Sequence, residues 1–351
     1  MNKKYYTIYL DYKRQIEQGE FPAGGKLPAK RETCFRYGVS PVTVATAMDM
    51  LISEGYVESR PKSGYYACKL HPLTGKKLPP SARERLPEPE VKGEEEFSAW
   101  LKTVRKVMAD RGGELFTRSP KEGCAVLRNA ISDYLYRYRG MNAAPHRIII
   151  GSGAEQLYES VVKILGRDKI FGVEDPCYQQ ITAVYAAEGV TLCPLTMGKE
   201  GITTSALNHQ NFHVLHVTPF HSYPTGITAT VGKRREYLAW AKARNAYIVE
   251  DDFDSEFFMP GHPIETLYAT DGGARVIYVN TFSKSLSASM RMGYMILPES
   301  LLSAYQTALG SYSCTVPVLE QYALAEFLNS GNFERHLNRK RRKFARSNKE
   351  E

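Results

Sequence analysis

Residues 274–294, ARVIYVNTFSKSLSASMRMGY, carry a β-branched run into a lysine set among hydroxyls, with an arginine seven residues after it. ARVIYVN has the composition of a buried strand. Beyond it, Thr281, Ser283, Lys284 and Arg291 form a set with chemical meaning. Lysine is the side chain whose amine turns neutral, and so nucleophilic, when it is buried or crowded by other cations; Schiff-base formation needs that. Hydroxyls beside a guanidinium describe a pocket for a phosphate dianion, to which arginine offers a fork of donors. Taken alone, the same residues also describe a solvated surface loop.

The surrounding segments decide the fold class. Short β-branched runs recur at 147 (RIIIG), 169 (KIFGVE), 212 (FHVLHVTP) and 246 (AYIVED), with helical stretches between them. That alternation implies βαβ units, and hence an α/β domain around a mostly parallel sheet. Ligands of such sheets collect at the carboxyl ends of the strands, and three further motifs stand there. GSGAEQ (151–156) follows RIII and opens a helix, so the amides of Gly153 and Ala154 suit an anion, although these glycines also make a plain tight turn. Asp251 ends the strand YIVED, where a buried carboxylate needs a partner: a pyridinium nitrogen, a helix N-terminus or a salt bridge. Tyr178, in EDPCYQQ, follows a turn and is placed to stack on a ring or to pack within its own domain.

A chain of 351 residues is long enough for two domains. Hydrophobic residues make up 43% and charged residues 24%, with a mean hydropathy of −0.37, values of a globular chain and not of a disordered, collagenous or membrane one. No run approaches the roughly 18 to 20 apolar residues of a membrane-spanning helix. The start, MNKKYYTIYLDYKRQ, lacks the apolar core of a signal peptide, so the chain reads as cytoplasmic and without a membrane partner. Six cysteines lie far apart with no CxxC pair, which favours reduced, mostly buried thiols over a zinc site or disulfides. Of the net charge of +8, residues 1–69 hold +4 (11 basic, 7 acidic) and residues 335–351 hold +6 (8 basic, 2 acidic), leaving −2 for the body. Residues 70–96, LHPLTGKKLPPSARERLPEPEVKGEEE, are rich in proline and charge and read as a linker. They separate a domain at 1–69 from one at 97–351.

The basic first domain reads as a helix-turn-helix with a wing. A helix at 5–18 has Ile8, Leu10, Tyr12 and Ile16 as its apolar positions, and a second runs from about 29 to 37. Ser40 then caps a third helix that has Pro41 at its first position. Strands at 56–59 and 65–68 flank the turn Arg60-Pro61-Lys62-Ser63-Gly64. In such a domain the start of the third helix enters the major groove, which puts Ser40, Val42, Thr43 and Thr46 at bases or phosphates and Arg31, Arg60 and Lys62 on the backbone of duplex DNA. The alternative is a small three-helix domain whose hydroxyls face solvent.

The wording sharpens these readings. LPAKRE, GVSPVTV and EGYVESRPKSGYY together resemble the GntR winged helix across nearly its full length, apart from Pro41 and Lys62, where that family often has Arg and Gly. GSGAEQ, EDPCYQQ, TPFHSYPTG, VEDDFDSEF and TFSKSLSASMRMGY occur in the order and approximate spacing of fold-type I pyridoxal-phosphate enzymes. With the winged helix in front, residues 5–345 resemble the MocR group of GntR regulators. The resemblance implies that Lys284 holds pyridoxal 5'-phosphate covalently, that Asp251 pairs with its ring nitrogen and that Tyr178 lies against the ring. It gives the phosphate to Gly153, Ala154, Thr281, Ser283 and Arg291. Phe253 stands where the group has a tyrosine that donates to the cofactor's phenolate oxygen; Tyr223, in HSYPTG, is the candidate substitute. The chain ends after NFERHLNRKRRKFARSNKEE, where the family continues into a small C-terminal domain that clamps a substrate carboxylate, so the large domain reads as truncated there.

These readings make the protein a DNA-binding transcriptional regulator that senses an amino-acid-like or pyridoxal-related effector through a domain without efficient transamination. An aminotransferase with an accessory DNA-binding domain and a truncated non-functional fragment are the alternatives. The resemblance also implies a homodimer. Two weaker features complete the picture. His209, His213, His216 and His221 look like a metal cluster, but 213 and 216 face opposite sides of a strand, so no metal is expected. The basic run Arg339, Lys340, Arg341, Arg342, Lys343 and Arg346 has the charge to touch DNA, but reads rather as the solvated face of a long helix.

Overall fold

The computed structural model describes residues 4–61, 63–70, 94–209, 211–256 and 265–350. The chain forms two compact units, Met1–Pro89 and Glu90–Glu351. The stretch read as a linker lies outside the described residues except for Leu70 and residues 94–96, which are helical. Lys62 also lies outside them.

In the first unit, α1 (Lys4–Glu17), α2 (Lys30–Tyr37) and α3 (Pro41–Ser53) are followed by the antiparallel pair β1 (Val57–Arg60) and β2 (Gly64–Ala67). Ile8, Tyr12 and Ile16 of α1 pack with Val44, Ala47, Met48 and Leu51 of α3. Leu10, expected in that core, is 45% exposed, and Tyr9 is buried in its place. The reason is angular: positions 8, 9, 12 and 16 share one helix face, from which position 10 is turned away. Gly38 ends α2 in the left-handed conformation (φ 59°), and the Ser40 hydroxyl caps α3 by accepting from the Thr43 amide at 3.4 Å.

The second unit runs α4 (Glu94–Arg111), α5 (Ala125–Arg139), β3 (Ile148–Gly151), α6 (Ala154–Leu165), β4 (Ile170–Asp175), α7 (Gln179–Ala187), β5 (Thr191–Gly198) and β6 (Gly201–Ile202). It continues with α8 (Thr204–His209), β7 (Val214–Val217), α9 (Val231–Arg244), β8 (Tyr247–Asp251), α10 (Leu267–Asp271), β9 (Val276–Thr281), β10 (Gly293–Ile296), α11 (Leu302–Leu309), α12 (Val318–Asn329) and α13 (Asn332–Glu350). The strands form one sheet in the order β3-β10-β9-β8-β7-β4-β5-β6. Strands β9, β8, β7, β4 and β5 are parallel; β10 runs antiparallel between β3 and β9, so β3 points the same way as the parallel set.

Strand alternation divides the core between the two faces of the sheet. Ile148 and Ile150, Leu215 and Val217, Val276 and Tyr278 belong to one cluster, with side chains from α5, α9, α12 and α13. Ile149, Val214, Val249, Ile277 and Val279 belong to the other, with α6, α7 and α11. Both faces are covered, which is why these strands read as continuous apolar runs and not as an apolar-polar alternation. Among the described residues no helix is long and apolar enough to cross a membrane. All six cysteines are free thiols, but only Cys124 is buried; the other five are half-buried, contrary to the sequence expectation.

Candidate cofactor cleft and nucleic-acid face

The second unit's candidate residues all sit at one edge of the sheet. Residues 152–155 follow β3, 176–180 follow β4, 218–223 follow β7, 252–254 follow β8 and 282–284 follow β9, while Arg291 precedes the antiparallel β10 and so reaches the same edge. A cleft of about 390 Å³ opens there. Ala154, Tyr178, Tyr223, Asp251, Thr281, Ser283, Lys284 and Arg291 all line it. Gly153 does not line it but is the residue from which α6 starts.

One end of the cleft suits an anion. Gly153 has φ 99°, which glycine adopts freely, and no side chain caps α6, so its first amides are free of a capping oxygen. A Cβ at 153 would approach the Arg291 guanidinium at 3.3 Å, so the glycine also lets that arginine lie over the helix start. Thr281 is buried and Ser283 half-buried on the adjoining wall. Sequence reasoning missed Glu155, which lines the cleft and pairs with Arg291.

The other end suits a cation. Asp251 is 3% exposed, and its Oδ2 accepts from the Tyr158 hydroxyl while Oδ1 has no partner. Burial, and next the charge of Asp251, push the Tyr158 phenol well above its ordinary pKa, so it stays a donor. His216 lies behind: its Nδ1 is 2.7 Å from the Tyr185 hydroxyl and its Nε2 is 3.9 Å from Asp251 Oδ2. A buried carboxylate oxygen without a donor is costly. A protonated ring nitrogen is the kind of group that would satisfy it.

Lys284 is half-exposed between the two ends. Its Nζ pairs with Asp254 and lies 5.4 Å from the centre of the Phe253 ring. Asp254 is 1% exposed and also bonds His221 Nδ1 at 3.1 Å. Tyr178 and Tyr223 form the open side, with rings 6.0 Å apart, edge to face, and exposures of 45% and 60%. The adjacent Asp252 has a different role. It takes Arg139 and the Tyr278 hydroxyl, each at 2.6 Å, in an interior ion pair. The histidines do not come together: His213 accepts from the Ile170 amide, His216 is under Asp251, His221 is on Asp254, and the His209 side chain lies outside the described residues. Nor is the basic run of α13 simply solvated. Lys340 donates to the Leu286 carbonyl at 2.9 Å and Arg341 to that of Glu256 at 2.6 Å; the side chains of Lys343 and Arg346 lie outside the described residues.

On the first unit, Val42 is 74% exposed at the start of α3, with Ser40 and Thr46 exposed and Thr43 half-buried. The hydroxyls have local duties: Ser40 Oγ and Thr43 Oγ1 share a hydrogen bond of 2.9 Å, and Thr46 donates to the Val42 carbonyl. Arg31 is exposed on α2. Arg60 bonds Glu58 through Nε at 2.8 Å, and its guanidinium lies 4.2 Å from the centre of the Tyr66 ring, so it is held on the wing. Phe35, 93% exposed and one helical turn from Arg31, was not singled out in the sequence.

Comparison with known proteins adds to this geometry. The profile of the aminotransferase class I and II family matches residues 86–350, and that of the gntR family of bacterial regulatory proteins matches residues 4–66. The uncharacterised HTH-type transcriptional regulator YhdI of Bacillus subtilis is 32% identical, over 96% of this chain and 75% of its own length. The probable rhizopine catabolism regulatory protein MocR of Rhizobium meliloti is 28% identical, over 97% of this chain and 75% of its own. Among solved structures, the α-aminoadipate aminotransferase LysN of Thermus thermophilus, complexed with N-(5'-phosphopyridoxyl)-L-leucine, superposes with a TM-score of 0.63 at 26% identity. That match covers 73% of this chain and 66% of LysN.

Proposed function

The chain belongs to the GntR-family HTH-type transcriptional regulators that carry an aminotransferase class I and II domain, and from that membership we propose how its residues serve a pyridoxal-phosphate-dependent, DNA-binding regulator. The observation that carries the reading is Asp251 Oδ1, a buried carboxylate oxygen with no partner at the floor of the cleft that Lys284 and Arg291 also line. Asp251 would meet the protonated ring nitrogen, with the Tyr158 hydroxyl fixing its orientation. The α6 amides at Gly153 and Ala154, the hydroxyls of Thr281 and Ser283 and the Arg291 guanidinium hold the phosphate. Tyr178 flanks the ring. Lys284 would be the covalent attachment point; while unattached, its ammonium is held by Asp254 and the Phe253 ring. Bound there, pyridoxal phosphate supplies an aldehyde able to take up a primary amine. Phe253 has no hydroxyl to offer the cofactor's phenolate oxygen, and Tyr223 on the open side is the candidate to supply one, which supports sensing over efficient turnover.

The winged helix holds duplex DNA through Arg31 and Arg60, with Ser40, Val42, Thr43 and Thr46 at the groove and an amino-acid-like or pyridoxal-related compound as effector. A cytoplasmic homodimer, each cleft closed on its Tyr178 and Tyr223 side by the other copy, completes the proposal. Fluorescence anisotropy of the full chain on labelled duplexes from the region upstream of its gene tests it. Salt-dependent binding to one discrete segment, altered by pyridoxal phosphate or an amino acid, is expected. Absence of such a segment, together with rapid multiple turnover of an amino acid to its oxo acid, would assign the chain to transamination instead.

A further inference from the structure

A second cavity, of about 210 Å³, lies between α5 and α13 and shares no lining residue with the cofactor cleft. Arg137, Tyr138, Arg139, Glu256, Glu334 and Arg341 stand on its wall. Two of the three arginines are committed. Arg139 serves Asp252 and Ser255, and Arg341 serves the Glu256 carbonyl and Asn338. Arg137 is not: its Nε donates to the Asp133 carbonyl and its guanidinium lies 5.6 Å from the Tyr138 ring, but it meets no carboxylate among the described residues.

Glu334 is the opposite case. It sits in the first turn of α13, 9% exposed, and both carboxylate oxygens are buried without a hydrogen-bond partner. Neither Arg137 nor any other described cation pairs with it. An interior carboxylate in this state is expensive unless a cation reaches it. Glu256, the other carboxyl on the wall, accepts from the Tyr134 hydroxyl, and burial pushes it up to about 7 against the pull of Arg139. Glu334 is therefore the anion offered to a visitor, and Arg137 the guanidinium.

We propose that this cavity is a second ligand site that takes a small zwitterion of amino-acid type, its ammonium on Glu334 and its carboxylate on Arg137. An anion alone would be repelled by Glu334, and a cation alone would leave Arg137 unused. Pockets for drug-sized ligands run to about 300–1,000 Å³, so the smaller volume selects a ligand of a few carbons. Ser255 and Glu256 on the wall follow directly on Asp254, the partner of Lys284, so both sites lean on one segment. The inference uses no residue of the cofactor cleft and stands apart from the reading of that cleft.

Calorimetric titration of the full chain with glycine, β-alanine, L-alanine and L-aspartate is expected to give saturable binding for at least one of them. Ethylamine and propionate, each with one of the two charges, should bind at least about tenfold more weakly, as should the best zwitterion to Glu334→Gln or Arg137→Met. Arg137 is exposed, so its variant tests the site even if Glu334→Gln fails to fold. Saturating pyridoxamine 5'-phosphate, which fills the cofactor cleft without reacting with amines, should leave the affinity unchanged. The proposal is overturned if no probe binds at millimolar concentration, if Arg137→Met binds as the parent does, if ethylamine binds as tightly as the zwitterions, or if pyridoxamine phosphate abolishes binding.

Discussion

Asp251 and Asp252 are adjacent, both buried and both acidic, and replacing each with asparagine should produce opposite defects. Asp252 Oδ2 receives Arg139 and Tyr278 at 2.6 Å, and the ion-paired side chains are 7% and 4% exposed. Removing one partner of such an interior pair leaves an uncompensated charge and costs about 3–5 kcal/mol. At about 2–4 °C per kcal/mol for a domain of this size, Asp252→Asn should melt about 6–20 °C lower. Asp251→Asn keeps an acceptor for Tyr158 and removes a carboxylate oxygen that has no partner in the protein. Its melting temperature should therefore change little. What it loses is the charged hydrogen bond to the ring nitrogen, about 1.5–3 kcal/mol, or about tenfold to hundredfold in affinity for pyridoxal phosphate. Absorbance titration with pyridoxal phosphate and thermal unfolding by circular dichroism, run on both variants and the parent, measure the two quantities. Equal defects in both variants, or loss of cofactor affinity in Asp252→Asn at unchanged stability, would refute the assignment.

Three further outcomes follow from the same geometry. Glu155→Gln should tighten pyridoxal phosphate binding by about threefold to tenfold, because the phosphate and Glu155 compete for Arg291 at a half-exposed site where charge effects are screened; equilibrium dialysis reads the change, and unchanged or weaker binding contradicts it. Arg60→Ala should shallow the slope of log affinity for DNA against log salt by about one unit, the share of one phosphate contact; an unaltered slope removes Arg60 from the interface. Burial pushes Glu174 from its ordinary 4.5 up to about 8, with Ser222 donating to it at 2.6 Å. A folded-state pKa raised in this way favours the native state below the ordinary value and loses that contribution as pH rises to about 8. Glu174→Gln should then show a shallower fall of melting temperature across that interval than the parent, and parallel curves would exclude the group.

The sheet was legible because its strands are buried on both faces and alternate with helices. RIIIG and AYIVED each contain a strand of the described structure, and KIFGVE and ARVIYVN each hold all but the last residue of one. The cleft residues were legible for a related reason: all but Tyr223, six residues beyond β7, stand within three residues of a strand terminus or at a helix start, and the topology brings those termini to one edge. What the sequence did not disclose are the pairings made there. Glu155 meets Arg291 across 136 residues, and Tyr158 meets Asp251 across 93, distances at which no local periodicity carries information. The role of Asp252 was hidden for the same reason, since Arg139 lies 113 residues earlier. In the winged helix, composition located the recognition helix but not the duties of its hydroxyls, because a serine that caps and a serine that faces DNA occupy the same position. Glu334 looked like an ordinary first-turn acid; its burial comes from tertiary packing, which no local pattern discloses.

The most direct test is to saturate the full chain with pyridoxal phosphate, reduce it with borohydride and locate the modification by peptide mass spectrometry. A single pyridoxyl group on Lys284, absent from Lys284→Ala, is the predicted result. Modification of another lysine, or none at saturating cofactor, would contradict the account.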